Sequence, residues 1–302
     1  MAGGASPQKA ILYALAANAG IALTKGAAAA ATGSTSMVAE AIHSVADTGN
    51  QLLLLLGLRG AGRPPDREHP LGYGKVTYFW SFVVALLLFS VGGLFSLYEG
   101  WHKLHDPEPI ESVWIAIAVL SVSMALEVTS LRGCLAEIAH ERGSRSLWRW
   151  VHESRSAELV VVLGEDVAAL LGLATALGFV ALAAVTGDPA WDAAGSMVIG
   201  ALLVVVALFV AVRIKSLLIG RSADPGIVAA IEREIEADPA IDELLNALTV
   251  QVGPQLMLAA KLRMRPGLSI DEACAAINAL EVRLKQAIPE VGWCFMEPDV
   301  RV

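Results

Sequence analysis

Charged residues are scarce in this chain of 302 residues. Asp, Glu, Lys and Arg together fill 17% of its positions, against about a quarter in ordinary globular proteins. Hydrophobic residues fill 55%, and the mean hydropathy is +0.59. A composition this apolar excludes an ordinary soluble globular protein. It indicates a membrane protein, and the more polar last eighty residues indicate a soluble tail.

Cysteine and a basic face are also lacking. The three cysteines, Cys134, Cys274 and Cys294, have no pairing pattern, which argues against a disulfide framework and against a CxxC metal site. The net charge of −8 argues against a nucleic-acid partner, because phosphate binding needs a basic surface. The chain also has no nucleophile–base constellation, cofactor fingerprint or HExxH motif, so we expect neither an enzyme nor a resident cofactor.

Six apolar segments are long enough to cross a bilayer, which takes about 20 residues. They span residues 10–32, 37–58, 77–100, 113–131, 159–185 and 190–218. The first of them is too long to be the core of a cleavable signal peptide, so we expect none. The pattern predicts a bundle of six transmembrane helices surrounded by lipid.

The basic residues predict how these helices are oriented. Cytoplasmic loops carry the excess of Lys and Arg, and the loops after segments two, four and six hold most of them, whereas the opposite loops hold only Lys103. Both termini are therefore expected in the cytoplasm. The alanine-rich composition suggests a bacterial inner (plasma) membrane.

The tail reads as a small α+β domain. Asp224-Pro225 predicts the start of a helix that runs to about residue 237. Strands are expected over 245–252 and 256–264, and a last one over 292–296. Between them, Ser269 with Glu272 forms a capping-box pattern that opens a helix to about residue 288. We therefore divide the chain into a transmembrane domain, 1–220, and a tail, 221–302, with helices on one face of a short sheet.

The second apolar segment contains polar side chains at helical spacing. His43 and Asp47 are one turn apart and share a face. Glu40 lies on the same stripe, and Asn50 lies at its far end. An imidazole and a carboxylate so placed can both bind one cation, and this donor set suits zinc and its neighbours. The alternative is a polar contact between helices.

The fifth segment contains the adjacent acids Glu165 and Asp166 in an apolar run. Ionisable groups at membrane depth cost several kcal/mol and are functional candidates by default. Neighbouring helical positions point about 100° apart, so both acids can border one cavity without being equivalent. The alternative is a helix break or capped end near Gly164. With the second segment, these acids supply enough donors for a four-coordinate site.

Other polar residues carry weaker signals. Asp66 and His69, in the loop after the second segment, supply only two donors of a cytoplasmic site that needs three or four. Lys25 is expected to pair with an acid such as Glu40 or to extend to the membrane surface. Glu127 and Asp192 are expected near helix ends, at the interface.

These motifs carry a family resemblance. The six-segment plan, the His43/Asp47 pair and the stretch from Asp66 through His69 and Gly72-Tyr73-Gly74 to Lys75 resemble the cation diffusion facilitator family. The Glu-Asp pair of the fifth segment resembles a divergent branch that includes the mitochondrial zinc carriers. The resemblance implies a ferredoxin-like cytoplasmic tail and a homodimer formed through it. It covers nearly the whole chain.

The resemblance also implies a function: efflux of Zn²⁺, or a similar divalent ion, in exchange for protons. It assigns the metal to His43, Asp47 and Asp166. The family's usual histidine is replaced by Val162, and Glu165 is the expected substitute ligand. Tyr73 stands where the family has a second loop histidine, and the tail has no histidine, so metal sensing there is expected to be lost.

Two questions stay open on the sequence. Carboxylates favour Mn²⁺ or Mg²⁺, whereas His43 favours Zn²⁺, Co²⁺, Ni²⁺ or Fe²⁺. The departures at Val162 and in the tail also fit a membrane scaffold of the same fold that does not transport metal and acts as a docking protein.

Overall fold

The computed structural model describes residues 6–32, 35–106 and 113–300, with the backbone alone for residues 32 and 35–40. Its long helices are α1 (Pro7–Thr32), α2 (Thr35–Ala61), α3 (Val76–Leu87), α4 (Phe95–His105), α5 (Val113–Arg142), α7 (Ala157–Thr186) and α8 (Ala190–Ile219). A π-helical segment, Leu88–Leu94, joins α3 to α4 without a break, and a short helix, α6 (Leu147–Glu153), lies between α5 and α7. Each of the six predicted segments is helical.

Five of these helical spans are long and apolar enough to cross a membrane. They are α1, α3 continued into α4, α5, α7 and α8. The sixth predicted span, α2, is 27 residues long, but His43, Asp47, Asn50 and Gln51 lower the hydropathy of its middle. Its length still exceeds the roughly 20 residues that a crossing needs. The mostly helical architecture with a small terminal sheet confirms the predicted fold.

The helices pack in two groups around α7. Helix α1 contacts α2, α5 and α7, whereas α8 contacts α3, α4 and α7. The α3–α4 span and α8 approach closely because small residues face each other: a Cβ on Gly93 would lie 2.6 Å from Val204, and one on Gly200 would lie 2.7 Å from the Leu97 nitrogen. Such small residues allow close helix approach where no hydrophobic force drives association.

The tail contains α9 (Pro225–Glu236), β1 (Ile241–Val252), β2 (Gln255–Met264), α10 (Ile270–Ala287) and β3 (Val291–Pro298). Strand β2 pairs antiparallel with β1 and parallel with β3, which gives the sheet order β1-β2-β3. The predicted αββαβ order is confirmed. Helices α9 and α10 bury their apolar stripes against the sheet, around Ile231, Leu258, Leu262 and Leu284.

Two of the contacts that dock the tail on the bundle involve Gly74 and Arg155. Gly74, just before α3, lies against the β1–β2 turn: a Cβ there would be 2.4 Å from the Val252 carbonyl oxygen, and the Tyr78 hydroxyl donates to the Gly253 carbonyl at 3.1 Å. In the second contact, the Arg155 guanidinium donates to the carbonyls of Ser222 and Ala223 at 2.7 and 2.8 Å. The loop motif that contains Gly74 therefore forms part of the interface between the bundle and the tail.

Candidate metal site

The predicted pair in α2 is present. His43 Nε2 lies 3.7 Å from an Asp47 carboxylate oxygen, one helical turn away, and the two side chains are 27% and 36% exposed. The side chain of Glu40 lies outside the described residues. Residues 43 and 47 are thus placed side by side, as their spacing predicted, on a half-buried face of α2.

Glu165 connects α7 to α2. The Asn50 side-chain amide donates to one of its carboxylate oxygens at 3.2 Å, and the Gln51 amide donates to the other at 2.6 Å. Asn50 and Gln51 are both buried. The second and fifth predicted spans therefore meet directly, through a carboxylate whose two oxygens each have a donor.

Asp166 faces a different neighbour. Its side chain is 2% exposed, and one carboxylate oxygen accepts a hydrogen bond from the Ser130 hydroxyl of α5 at 3.0 Å. The other, Oδ2, is buried and has no hydrogen-bond partner within the part of the chain that the structure describes. The two adjacent acids of α7 are thus inequivalent, as their angular separation predicted. Helix α7 is continuous through Gly164, so the alternative of a helix break there is wrong.

Glu127 corrects an expectation from the sequence. It was expected near a helix end at the interface, but α5 continues to Arg142, so Glu127 is the fifteenth of its 30 residues. Its side chain is 2% exposed. It lies within hydrogen-bonding distance of Asp166 and close enough to Asp47 and Lys25 to interact with their charges. The same contacts give the buried Lys25 an acidic neighbour other than Glu40.

Four carboxylates, those of Asp47, Glu127, Glu165 and Asp166, therefore interact electrostatically across α2, α5 and α7. Within the described ranges, no group of three His, Cys, Asp or Glu side chains is close enough to hold a metal ion as the side chains stand. A site that uses Asp47 and Asp166 together requires their side chains to move closer.

The loop pair has structural partners. Asp66 accepts hydrogen bonds from the amides of Glu68 and His69 at 3.0 and 2.7 Å, and from the Tyr73 hydroxyl at 2.7 Å. Led by the bond from Tyr73, these hold the pKa of the exposed Asp66 carboxyl below its usual value. His69 Nδ1 lies 3.7 Å from Asp66, and its ring packs on Tyr73. Asp66 and His69 thus make contacts within the loop that hold it in a folded turn.

Asp192 and Lys103 lie at the other end of the bundle. Asp192 is in the first turn of α8, as expected, and accepts a hydrogen bond from the Lys103 ammonium at 3.2 Å. Glu99 lies 3.1 Å from the same ammonium. This group is a helix-end ion pair, separate from the acids of the interior.

Comparison with known proteins places the chain in a family. Residues 11–219 match the model of the cation efflux transmembrane domain. The chain is 35% identical over 252 residues to a proton-coupled zinc antiporter, SLC30A9 (mitochondrial), of Xenopus laevis, an alignment that covers 83% of this chain and 44% of that protein. It is 33% identical over the same length to the human protein of that name, with the same coverage. Metal tolerance protein C4 of Arabidopsis thaliana is 33% identical over 224 residues, 72% of this chain and 48% of that protein.

The chain spans about half the length of these curated relatives. The family model, by contrast, covers more than two thirds of the chain and includes all of its long apolar helices. These matches confirm that the chain resembles the branch of the family that includes the mitochondrial zinc carriers. The chain is an integral membrane protein and belongs to the cation efflux family, the cation diffusion facilitators.

Proposed function

We propose that this protein moves Zn²⁺ across the membrane in exchange for protons, through a site between α2 and α7. Two observations support the substrate. The matched relatives are named proton-coupled zinc antiporters, and a donor set of one imidazole with carboxylates suits zinc, with Mn²⁺, Fe²⁺, Co²⁺ and Ni²⁺ as further candidates. The observation that carries the proposal is the group of acids on α2, α5 and α7, of which Glu127 and Asp166 are buried among long apolar helices. Ionisable groups are costly to keep there.

We propose His43, Asp47 and Asp166 as three of the residues that bind the metal. Metal binding requires a neutral imidazole and ionised carboxylates, so protons and the metal compete for the same groups. A proton excess on the far side then favours metal release, and the protonated site returns. Reorientation of the helices exposes the site to one side at a time, with both termini in the cytoplasm and a homodimer formed through the tail.

The membrane is part of the proposal. The alanine-rich composition favours a bacterial inner membrane, whereas the names of the vertebrate relatives include the word mitochondrial. The tail, which has no histidine, is assigned to dimerisation and not to metal sensing.

The test is metal-driven proton exchange in proteoliposomes loaded with a pH-sensitive dye. His43→Ala and Asp47→Asn are each expected to lower Zn²⁺/H⁺ exchange by at least about a hundredfold. Losing a residue that only supports a metal ligand already costs about 10–100-fold, and losing the ligand itself should cost more. Asp192→Asn is the matched control, because it removes an acid from a helix-end ion pair. Wild-type exchange in both site variants contradicts the proposal.

The alternative, a docking scaffold without transport, makes a different prediction in the same assay. A scaffold shows no zinc-dependent proton flux in the unmodified protein, whereas the transporter shows flux that depends on the zinc gradient. A panel of divalent ions in this assay also ranks the substrates.

A further inference from the structure

A polar stripe runs along α5, outside the two helices that the proposed site uses. Ser123, Glu127, Ser130 and Cys134 recur at helical spacing, and all four are buried. Positions four, three and four apart lie on one face of a helix. This face meets α1 and α7, so α5 contributes polar groups to the same interior as the acids of α7.

Glu127 meets Asp166 on this face. The two carboxyl groups lie within hydrogen-bonding distance of each other. Glu127 Oε2 and Asp166 Oδ2 are fully buried, and apart from the contact between the two carboxyl groups neither has a hydrogen-bond partner in the described chain. Buried acceptor oxygens without a donor are costly, and two carboxylates at this distance repel each other unless a proton or a cation lies between them.

Glu165 is in the opposite situation. Both of its oxygens accept hydrogen bonds, from the side-chain amides of Asn50 and Gln51. Both oxygens are therefore already engaged with α2. Val162, where the resemblance implies a histidine, is fully buried in the apolar core of the bundle. Val162 itself therefore supplies no atom that could bind a metal, whereas Glu127 places a buried carboxylate oxygen beside Asp166.

The charges around Glu127 come from three helices. Glu127 interacts electrostatically with Asp166 of α7, Asp47 of α2 and Lys25 of α1, in decreasing order of strength. Both acids are proposed ligands of the transported ion. A cation that Asp47 and Asp166 hold together is therefore within reach of Glu127 as well.

We propose that Glu127 is a ligand of the transported divalent cation and, with His43, Asp47 and Asp166, completes the site that lacks a histidine at position 162. This inference rests on the proposed function and replaces Glu165 as the fourth ligand. Glu165 is a positioning residue that ties α7 to α2 through two amides. Three carboxylates and one imidazole form a harder donor set than a site with two histidines, and this set binds Mn²⁺ better relative to Zn²⁺.

The test is calorimetric titration of the purified full-length protein in detergent with Zn²⁺ alone. Glu127→Gln is expected to lower zinc affinity by at least about tenfold. Losing a residue that only supports a metal ligand already costs about 10–100-fold, so a lost ligand should cost at least as much. Glu127→Asp keeps the charge and is also expected to weaken binding, because the carboxylate is withdrawn by one methylene. Glu165→Gln is expected to lower affinity less than Glu127→Gln does, because Glu165 positions α7 against α2 and does not contact the ion.

Glu137→Gln is the matched control. It makes the same change in the same helix at another buried acid, one that accepts a hydrogen bond from the Ser6 amide. Its zinc affinity is expected to equal that of the unmodified protein. Wild-type affinity in both Glu127 variants, or a loss in Glu165→Gln larger than theirs, overturns the inference.

A purely structural role for Glu127 as the counter-ion of Lys25 predicts a different result. In that case the double variant Lys25→Met with Glu127→Gln regains wild-type zinc affinity, because the charge that Glu127 offsets is removed with it. If Glu127 is a ligand, the double variant binds as weakly as Glu127→Gln alone.

Asp47→Asn separates this inference from the proposed function. If Asp47→Asn loses zinc while both Glu127 variants keep it, the site between α2 and α7 stands and only the role of Glu127 fails. If Asp47→Asn keeps zinc affinity and exchange activity, the proposed function itself fails.

Discussion

The interior of the tail and the interior of the transmembrane bundle differ in chemistry. In the tail, the buried side chains around Ile231, Leu258 and Leu284 are apolar, and charged groups form partly exposed pairs such as Lys261 with Asp299. In the bundle, large apolar side chains cover the outside, while acids of α5 and α7, such as Glu127 and Asp166, are buried inside.

This difference separates stability from function. The tail follows the usual rule that apolar burial stabilises a domain, so we expect its folding to be independent of an ion. The bundle retains charged groups at a free-energy cost, which a bound cation would help to offset. Changes in the tail are therefore expected to alter stability first, and changes in the bundle are expected to alter metal binding first.

Leu258→Ala is the strongest test on the tail side. Leu258 is fully buried in β2, and loss of a buried leucine typically costs about 2–5 kcal/mol of unfolding free energy. We expect faster amide hydrogen exchange throughout β1, β2 and β3 of the full-length protein, with zinc affinity unchanged.

Leu248→Ala is its control, because Leu248 is 60% exposed on the neighbouring strand β1. Exchange rates as slow in Leu258→Ala as in Leu248→Ala contradict the assignment of an apolar core. A loss of zinc affinity in Leu258→Ala contradicts the separation of the two regions.

Gly74→Ala tests the contact that joins the regions. The added Cβ would lie 2.4 Å from the Val252 carbonyl oxygen and 3.1 Å from Gly253, and overpacking of this kind costs about 1–3 kcal/mol. We expect faster amide exchange confined to the β1–β2 turn, while the core of the sheet stays protected.

Gly178→Ala provides the comparison for Gly74→Ala, because a Cβ at Gly178 meets nothing within 4 Å. If both variants exchange like the unmodified protein at the turn, the close approach of the turn to Gly74 is not present in solution.

Ser269→Ala has the smallest expected effect. Its hydroxyl accepts from the Glu272 amide, while the Glu272 carboxylate accepts from the Ser269 amide at 2.8 Å. Loss of such a cap costs about 1 kcal/mol. We expect faster exchange in the first turn of α10 only. Unchanged exchange there means that the cap does not stabilise the helix.

The sequence predicted most of the elements because their signals are local. The Ser269/Glu272 capping box and the Asp224-Pro225 helix start are both present. Strand β1 begins four residues earlier than predicted, at Ile241. Register shifts between Ile241 and Asn246 interrupt the alternation of side chains that marks a strand in a sequence.

The site was harder to predict, because it depends on which helices touch. The sequence indicated that the polar faces of the second and fifth spans meet, and the Asn50–Glu165 contact joins them. It misplaced Glu127, because the apolar run ends near residue 131 whereas α5 continues to Arg142. The buried serines four residues before and three after Glu127 are the one local sign of a polar face on that helix.

The most direct measurement is an anomalous scattering map of the zinc-bound protein, recorded at the zinc absorption edge. If the metal site lies between α2 and α7, we expect a peak inside the bundle, about 2.0–2.2 Å from carboxylate oxygens of Asp47 and Asp166. A peak found only at Asp66 and His69, or only in the tail, with none between α2 and α7, contradicts that location of the site.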